Sequence, residues 1–226
     1  NPDDQVAFGD MIELDQWAMN RCNALVAECR KCYDAYEFHS VYRAVYNFCV
    51  IEMSNFYLDI IKDRLYCEAP GSFPRKSAQT AIYHILDAMV RLLAPVLAFT
   101  SEEIWAAMPH AQGDDAESVL FNQIPEVNPA YEFDAEKTEY WAKILALKAD
   151  VNKALEEVRS AKIVKKSTDA KLTLYFNDEA WERFQSLKDH HFEALFIVSH
   201  VDIVHGQGEG YQGEAFPGLT VRVEMD

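Results

Sequence analysis

The stretch Leu14-Asp-Gln-Trp-Ala-Met-Asn-Arg-Cys-Asn-Ala-Leu-Val-Ala-Glu-Cys-Arg-Lys-Cys-Tyr-Asp-Ala-Tyr36 places apolar residues at Leu14, Trp17, Ala18, Leu25, Cys29, Cys32 and Tyr36. Steps of three, four and seven repeat one face of an α-helix, so residues 10–38 read as a long amphipathic helix. The same period continues over residues 41–66 through Tyr42, Val45, Cys49, Met53, Phe56 and Ile60. Glu68-Ala-Pro-Gly-Ser-Phe-Pro74 interrupts it, because proline and glycine cluster there. A third helix follows from about Arg75, with Ile82, Ile85, Leu86, Met89, Leu92, Leu93 and Val96 as its stripe. Pro95 ends or kinks it, since proline lacks the N–H that the next turn needs. Thr100-Ser-Glu-Glu103 has the form of a capping box and predicts a short helix through Trp105.

The C-terminal part changes period. Residues 109–133 carry Pro109, Gly113, Pro125 and Pro129 among acids and read as a loop, with an extended piece at 119–121. Residues 134–161 predict another long helix, with Trp141, Ile144, Leu145, Leu147, Val151, Leu155 and Val158 inward. Lys171-Leu-Thr-Leu-Tyr-Phe176 alternates as a strand does. Residues 177–188 read as a helix capped by Asn177 or Asp178, residues 194–205 as an apolar strand, and residues 219–225 as a last strand. The expected fold is mainly α: an antiparallel helical bundle at 1–110, an acidic connection at 111–133, then a long helix and a small α+β subdomain at 134–226.

Composition narrows the function. Of 226 residues half are apolar, which excludes wholesale disorder. There are 21 Lys+Arg against 37 Asp+Glu, a net charge of −16, so a wholly basic nucleic-acid binder is not expected. No apolar run is long enough to span a bilayer, and the longest, residues 92–99, contains Pro95. The opening Asn-Pro-Asp-Asp-Gln has no basic and apolar leader, and the missing initiator Met suggests a piece of a longer chain. Five cysteines with no such leader suggest reduced thiols and a cytoplasmic setting.

The local motifs resist a catalytic reading. Gly208-x-Gly210-x-x-Gly213 has the dinucleotide spacing but is followed by Pro217 rather than by a helix start, so it reads as a turn between strands. Cys29-x-x-Cys32 is half a zinc or redox pattern inside a helical stripe and reads as buried thiols. No Glu stands three residues before a His, which argues against a di-metal carboxylate bundle, and His190 and His191 read as solvated. No Gly-x-Ser-x-Gly elbow or phosphate loop occurs. Catalytic residues and metal ligands are therefore assigned to none. Basic charge is more telling. Residues 151–171 hold six bases (Lys153, Arg159, Lys162, Lys165, Lys166, Lys171) against three acids, and smaller clusters occur at Arg30-Lys31, Lys62/Arg64 and Arg75-Lys76. Such clusters either cap helix C-termini or form a discontinuous track for phosphates, with aromatics to stack on bases.

Longer strings carry a resemblance. Asn1-Pro-Asp, Leu14-Asp-Gln-Trp-Ala18, Tyr46-Asn-Phe-Cys, Ser54-Asn-Phe-Tyr-Leu-Asp59 and Lys62-Asp-Arg-Leu-Tyr66 are similar to the anticodon-binding helical region of bacterial isoleucyl-tRNA synthetases, class I aminoacyl-tRNA synthetases. Arg75-Lys-Ser-Ala-Gln-Thr80, Leu93-Ala-Pro-Val-Leu-Ala-Phe-Thr-Ser-Glu-Glu-Ile-Trp105, Val151-Asn-Lys-Ala-Leu-Glu-Glu157 and Lys171-Leu-Thr-Leu174 extend it collinearly over essentially the whole chain. The Leu-Ala-Pro…Glu-Glu-Ile-Trp string is shared with the valine and leucine relatives, whereas Asn-Phe-Tyr-Leu-Asp-x-x-Lys-Asp-Arg-Leu-Tyr is more particular to the isoleucine family. The His-Ile-Gly-His-like and Lys-Met-Ser-Lys-Ser-like signatures of the family's catalytic domain are absent, as is its editing domain. Where the family often has Ile-Gly-Lys-Ser, this chain has Ile163-Val164-Lys165-Lys166-Ser167.

The resemblance implies recognition of the anticodon stem-loop of isoleucine tRNA, as part of a ligase that uses ATP with Mg. It also implies docking on the catalytic domain of the same polypeptide, a monomer, no membrane, and a zinc module beyond the C-terminus in many members. The fragment alone is expected to need no cofactor and to be inactive. Arg21, Lys31, Arg75 and Lys76 are candidates for the anticodon stem-loop, and Lys162, Lys165 and Lys166 for phosphates. Two other readings stay open: the equivalent domain of a valyl, leucyl or methionyl enzyme, and a helical protein–protein interaction module, which the acidity and the aromatics suit.

Overall fold

The protein is described from a computed structural model, which covers Pro2, residues 4–188 and residues 190–226. Asn1 and Asp3 of the opening Asn1-Pro-Asp string lie outside the described residues. The chain divides into two compact units, Asn1–Glu132 and Phe133–Asp226. It is mainly α, with one small four-stranded sheet.

In the first unit, α1 (Glu13–Asp34) runs against α2 (Phe38–Asn47) and α5 (Phe73–Leu93). It buries Trp17, Cys22, Leu25, Val26 and Cys29, and Trp17 meets Phe56 edge-on at 4.7 Å between ring centres. Residues 41–66 do not form the single α-helix that their spacing predicts. Helix α2 opens into a π-helical segment, Phe48–Tyr57, followed by short α3 (Leu58–Ile60) and α4 (Lys62–Tyr66). A π-turn bonds i to i+5 and shifts the inward face. The buried residues of this stretch are Val41, Val45, Phe48, Met53, Phe56, Tyr57 and Ile61, while Tyr42 and Ile60, expected inward, are exposed and half-buried respectively.

Helix α6 (Ala98–Ala107) starts two residues before Thr100, so the expected capping box does not form. Its Trp105 is buried with Val90, Ala94, Met108 and Val119. The Trp105 indole N–H donates to the Asp115 carbonyl at 3.1 Å, and Arg91 lies 5.0 Å over its ring. Val119–Phe121 is a 3-10 turn rather than an extended piece, because Ser118 caps it and Glu102 accepts from the Ser118 hydroxyl at 2.5 Å. The segment after it is tied to α1. Asn23 exchanges hydrogen bonds with the Asn128 backbone at 2.8 and 3.0 Å, and Arg30 donates to the Ile124 and Pro125 carbonyls.

In the second unit, α7 (Ala135–Ser160) is capped by Asp134, which accepts from the Lys137 N–H at 2.8 Å. It packs on a sheet of order β2-β1-β4-β3, comprising β1 (Ala170–Phe176), β2 (His200–His205), β3 (Tyr211–Gln212) and β4 (Leu219–Met225). β1 runs parallel to β2 and antiparallel to β4. Asn177 caps α8 (Asp178–Phe184). Of the expected strand at 194–205 only the second half, from His200, is strand, and residues 194–196 belong to a helix. Helix α9 (Phe192–Phe196) ends at Ile197 in the left-handed region, φ 58°, and β2 begins only at His200. In α9, Phe192 and Phe196 stand one helical turn apart and stack at 5.5 Å, and Phe192 continues onto Phe184 at 5.6 Å, whereas a strand would draw the first pair about 13 Å apart.

Candidate nucleic-acid interface

The centre of the first unit is Asp15, buried completely on α1. Its carboxylate accepts from the Tyr57 hydroxyl at 2.8 Å, from the Ser77 hydroxyl at 2.5 Å, and from both terminal nitrogens of Arg64 at 2.9 and 2.7 Å. The Ser77 oxygen accepts in turn from the Ile12 N–H at 2.9 Å, at the start of α1. One carboxylate thus locks α1, the π segment, α4 and α5 together, with a bidentate guanidinium among its donors. Burial beside this carboxylate pushes the Tyr57 phenol far above its ordinary pKa, so it stays a donor. The rigid scaffold is what holds the outer side chains in place.

Of the expected contact residues, four lie on that scaffold. Arg21 forms a bidentate pair with Glu52, at 2.8 and 2.7 Å, so its fork is already occupied. Lys76 pairs with Asp4 at 2.8 Å, and Arg75 donates to the Glu68 carbonyl at 3.0 Å. Lys31 is exposed in the last turn of α1. Arg75 and Lys76 are neighbours in the first turn of α5. Arg21 and Lys31 are ten residues apart on α1, about 15 Å along its axis, and point in different directions.

The other three, Lys162, Lys165 and Lys166, are exposed together in the turn between α7 and β1 of the second unit. Lys162 itself terminates α7 at φ 59°. Its N–H bonds the Arg159 carbonyl and the Ile163 N–H bonds the Val158 carbonyl, the paired pattern of a left-handed helix cap. The cap that glycine usually fills is here a lysine, one residue before the string that lacks the family's glycine.

Two features escape a reading of the sequence alone. Arg64, grouped with Lys62 as a basic cluster, is spent on Asp15; the cue is an aspartate flanking the apolar stripe beside Trp17. Arg43 is exposed on α2 next to Tyr42, but a lone cation among aromatics gives no periodic signal.

Other candidates are resolved by the same geometry. Cys22, Cys29 and Cys32 are buried, and burial pushes the Cys22 thiol to about 12 and Cys29 to about 11, so they are inert as nucleophiles. Gly208, Gly210 and Gly213 lie against the sheet, where a Cβ would collide with the Tyr175 ring, the Val221 carbonyl and the Asp150 carboxylate respectively. Close packing explains them, and no helix follows. His190 is half-buried, not solvated: its ring accepts or donates to the Tyr140 hydroxyl at 3.2 Å, and burial lowers its pKa. Among the described residues no group of three or more His, Cys, Asp or Glu is placed to hold a metal ion, and no helix is long and apolar enough to cross a membrane.

A helical scaffold that presents exposed cations near its helix ends, such as Lys31 and Lys162, is suited to holding a polyanion and has the form of a nucleic-acid-binding domain. Residues 15–174 match the family described as the anticodon-binding domain of tRNA ligase, and the chain belongs to that family. It is 44% identical over 222 residues to an isoleucine–tRNA ligase of Syntrophotalea carbinolica, covering 98% of this chain and 23% of the relative. It is 42% identical over 210 residues to one of Caldanaerobacter subterraneus subsp. tengcongensis, covering 92% of this chain and 22% of the relative. With that of Desulforudis audaxviator it is 39% identical over 226 residues, all of this chain and 24% of the relative. The chain spans about a quarter of the length of the curated relatives it matches.

Proposed function

We propose that this chain recognises the anticodon stem-loop of isoleucine tRNA as a part of an isoleucine–tRNA ligase. The observation that carries the proposal is identity of 39–44% to isoleucine–tRNA ligases over nearly the entire chain. In the whole enzyme, ATP with Mg acts in a catalytic domain that this chain does not contain, and the chain works as a monomer in the cytoplasm. Its first helices, α1, α2 and α5, form an antiparallel bundle at 1–110. The acidic stretch 111–133 faces away from RNA. The domain at 134–226 adds phosphate contacts from Lys162, Lys165 and Lys166.

Recognition at a distance from the chemistry raises rate by orientation: holding the stem-loop fixes where the acceptor end falls. Splayed loop bases are read at their edges while the stem is held through phosphates. Docking on the catalytic domain is supported by exposed apolar side chains on the first unit, Phe99 at 90% with Leu97 beside it, and Phe121 on the 3-10 turn that packs on α6. The same side chains favour the protein-interaction reading as a companion role.

Binding to an isoleucine anticodon stem-loop, measured against salt, tests the proposal. Lys162→Ala/Lys165→Ala/Lys166→Ala is expected to weaken binding to all sequences alike and to lower the salt slope by about one for each phosphate no longer neutralised. An unchanged slope removes these lysines from the interface. Isoleucine-dependent ATP–pyrophosphate exchange by the chain alone is expected at background.

A further inference from the structure

Among the described residues, four of the eight exposed Phe and Tyr rings fall between Tyr36 and Tyr46. Tyr36, Phe38, Tyr42 and Tyr46 are 80%, 49%, 68% and 53% exposed. Phe38, Tyr42 and Tyr46 stand at i, i+4 and i+8 of α2, a single ridge with about 6 Å of rise between steps. Tyr42 and Tyr46 are stacked at 6.0 Å. Val41 and Val45 are buried on the adjoining stripe of the helix and fix its rotation, so the ridge cannot turn inward without uncovering them.

Its base is anchored. Phe38 meets Tyr33 edge-on at 6.0 Å, and the Tyr33 hydroxyl donates to the Leu92 carbonyl at 2.6 Å. Tyr36 sits in the left-handed region at φ 58°, closing α1 with the Tyr36 N–H on the Tyr33 carbonyl and the Glu37 N–H on the Cys32 carbonyl. A bulky residue rarely takes this conformation, and the backbone holds it here with its ring in water.

The charge beside the ridge is as particular as the rings. In the first unit, Arg21, Lys62, Arg64, Lys76 and Arg91 are ion-paired, and Arg30 and Arg75 donate to backbone carbonyls. Among the described residues, Lys31 and Arg43 are the cations of this unit with neither kind of partner; Lys31 lies in the last turn of α1, ahead of the turn into α2, and Arg43 follows Tyr42 on α2, about 100° round the helix from it. Exposed flat rings, two of them already stacked on one another, and two cations without an ion-pair or hydrogen-bond partner suit a partner that offers π-faces and phosphates in alternation. That chemistry is single-stranded RNA.

We propose that Phe38, Tyr42 and Tyr46 form a stacking platform for unpaired bases of an RNA loop, with Lys31 and Arg43 taking the adjacent phosphates. The inference rests on the anticodon reading and deepens it by naming where the loop is held. The test uses the whole chain and a stem-loop carrying the isoleucine anticodon with 2-aminopurine in the loop. A loop-free duplex of the same stem is the control.

Wild type is expected to bind the stem-loop and to quench the 2-aminopurine. Tyr42→Ala/Tyr46→Ala should weaken stem-loop binding at least about fivefold and abolish the quench, with duplex binding unchanged. Tyr42→Phe/Tyr46→Phe, which keeps the ring faces, should restore both. Lys31→Ala/Arg43→Ala should lower the salt slope. Circular dichroism of each variant should match wild type, because these side chains are exposed. Stem-loop binding and quench left intact in the alanine pair, or lost equally in the phenylalanine pair, overturns the platform while leaving the anticodon reading standing. A wild-type chain that does not bind the stem-loop overturns that reading, and the platform with it.

Discussion

Each unit hides one aspartate completely from water, and the two satisfy it by opposite means. Asp15 in the first unit draws its donors from three side chains on three different elements, Tyr57, Ser77 and Arg64. Asp150 on α7 in the second unit accepts instead from three consecutive backbone N–H groups, those of Glu214, Ala215 and Phe216, at 3.0, 3.0 and 2.7 Å. A side-chain hub depends on the identity of every partner, since one substitution strands a charge. A backbone hub depends on the path of the chain, and Gly213 shows this, because a Cβ there would press on the Asp150 carboxylate. The first unit is therefore held by chemistry between distant helices, and the second by how a loop is threaded onto a helix.

The largest expected effect breaks the first hub. Asp15→Ala leaves the Arg64 guanidinium half-buried and uncompensated, and is expected to cost about 3–5 kcal/mol. Urea unfolding followed by the fluorescence of buried Trp17 measures it, and a loss below about 1 kcal/mol would remove Asp15 as the organising group. Asp150→Ala comes next, at about 1–3 kcal/mol. Its three N–H groups carry no full charge, and those of Glu214 and Ala215 lie on exposed residues that water can reach. A cost equal to that of Asp15→Ala would erase the distinction between the two hubs.

The smallest effect sharpens the comparison by pH. Burial lowers the His190 pKa, so the folded second unit favours the neutral ring. As pH falls, the unfolded chain takes up the proton first, at the ordinary histidine value, and stability declines from there down through the depressed folded value. The decline between about pH 7 and 5 should flatten in His190→Gln, read by Trp141, whose ring centre lies 6.3 Å from that of His190. His84 in the first unit is lowered by burial too, but Asp87 pulls it back, so its share of the slope is opposed.

Long amphipathic helices are legible in the sequence because their cores repeat at one period, as at Trp17, Leu25 and Cys29, or at Trp141, Ile144 and Val151. Strands β1 and β4 are legible by alternation. Three departures occur where hydrogen-bond register, rather than side-chain order, sets the geometry. The π segment re-phases residues 48–57, and within α2 the buried pair Val41 and Val45 leaves Tyr42 outward. Tyr36, placed on the apolar stripe of α1 by spacing, falls past the helix end and into water because a left-handed cap closes the helix before it. Ile197 ends α9 in the same conformation and shortens the following strand. The candidate contacts are legible as charge but not as availability. Arg21, Arg75 and Lys76 look like Lys31 in a string of letters, and only their partners separate them. The net charge of −16 averages over faces in the same way, and leaves room for a small local binding surface.

Anticodon recognition is tested most directly by a pair of dissociation constants at low salt. One is for a stem-loop with the isoleucine anticodon, the other for the same stem with the anticodon replaced. Tighter binding of the first is predicted, by about 1–3 kcal/mol for the bases read, with both affinities falling steeply as salt rises. Equal affinities, or no binding of either at low salt, would contradict it.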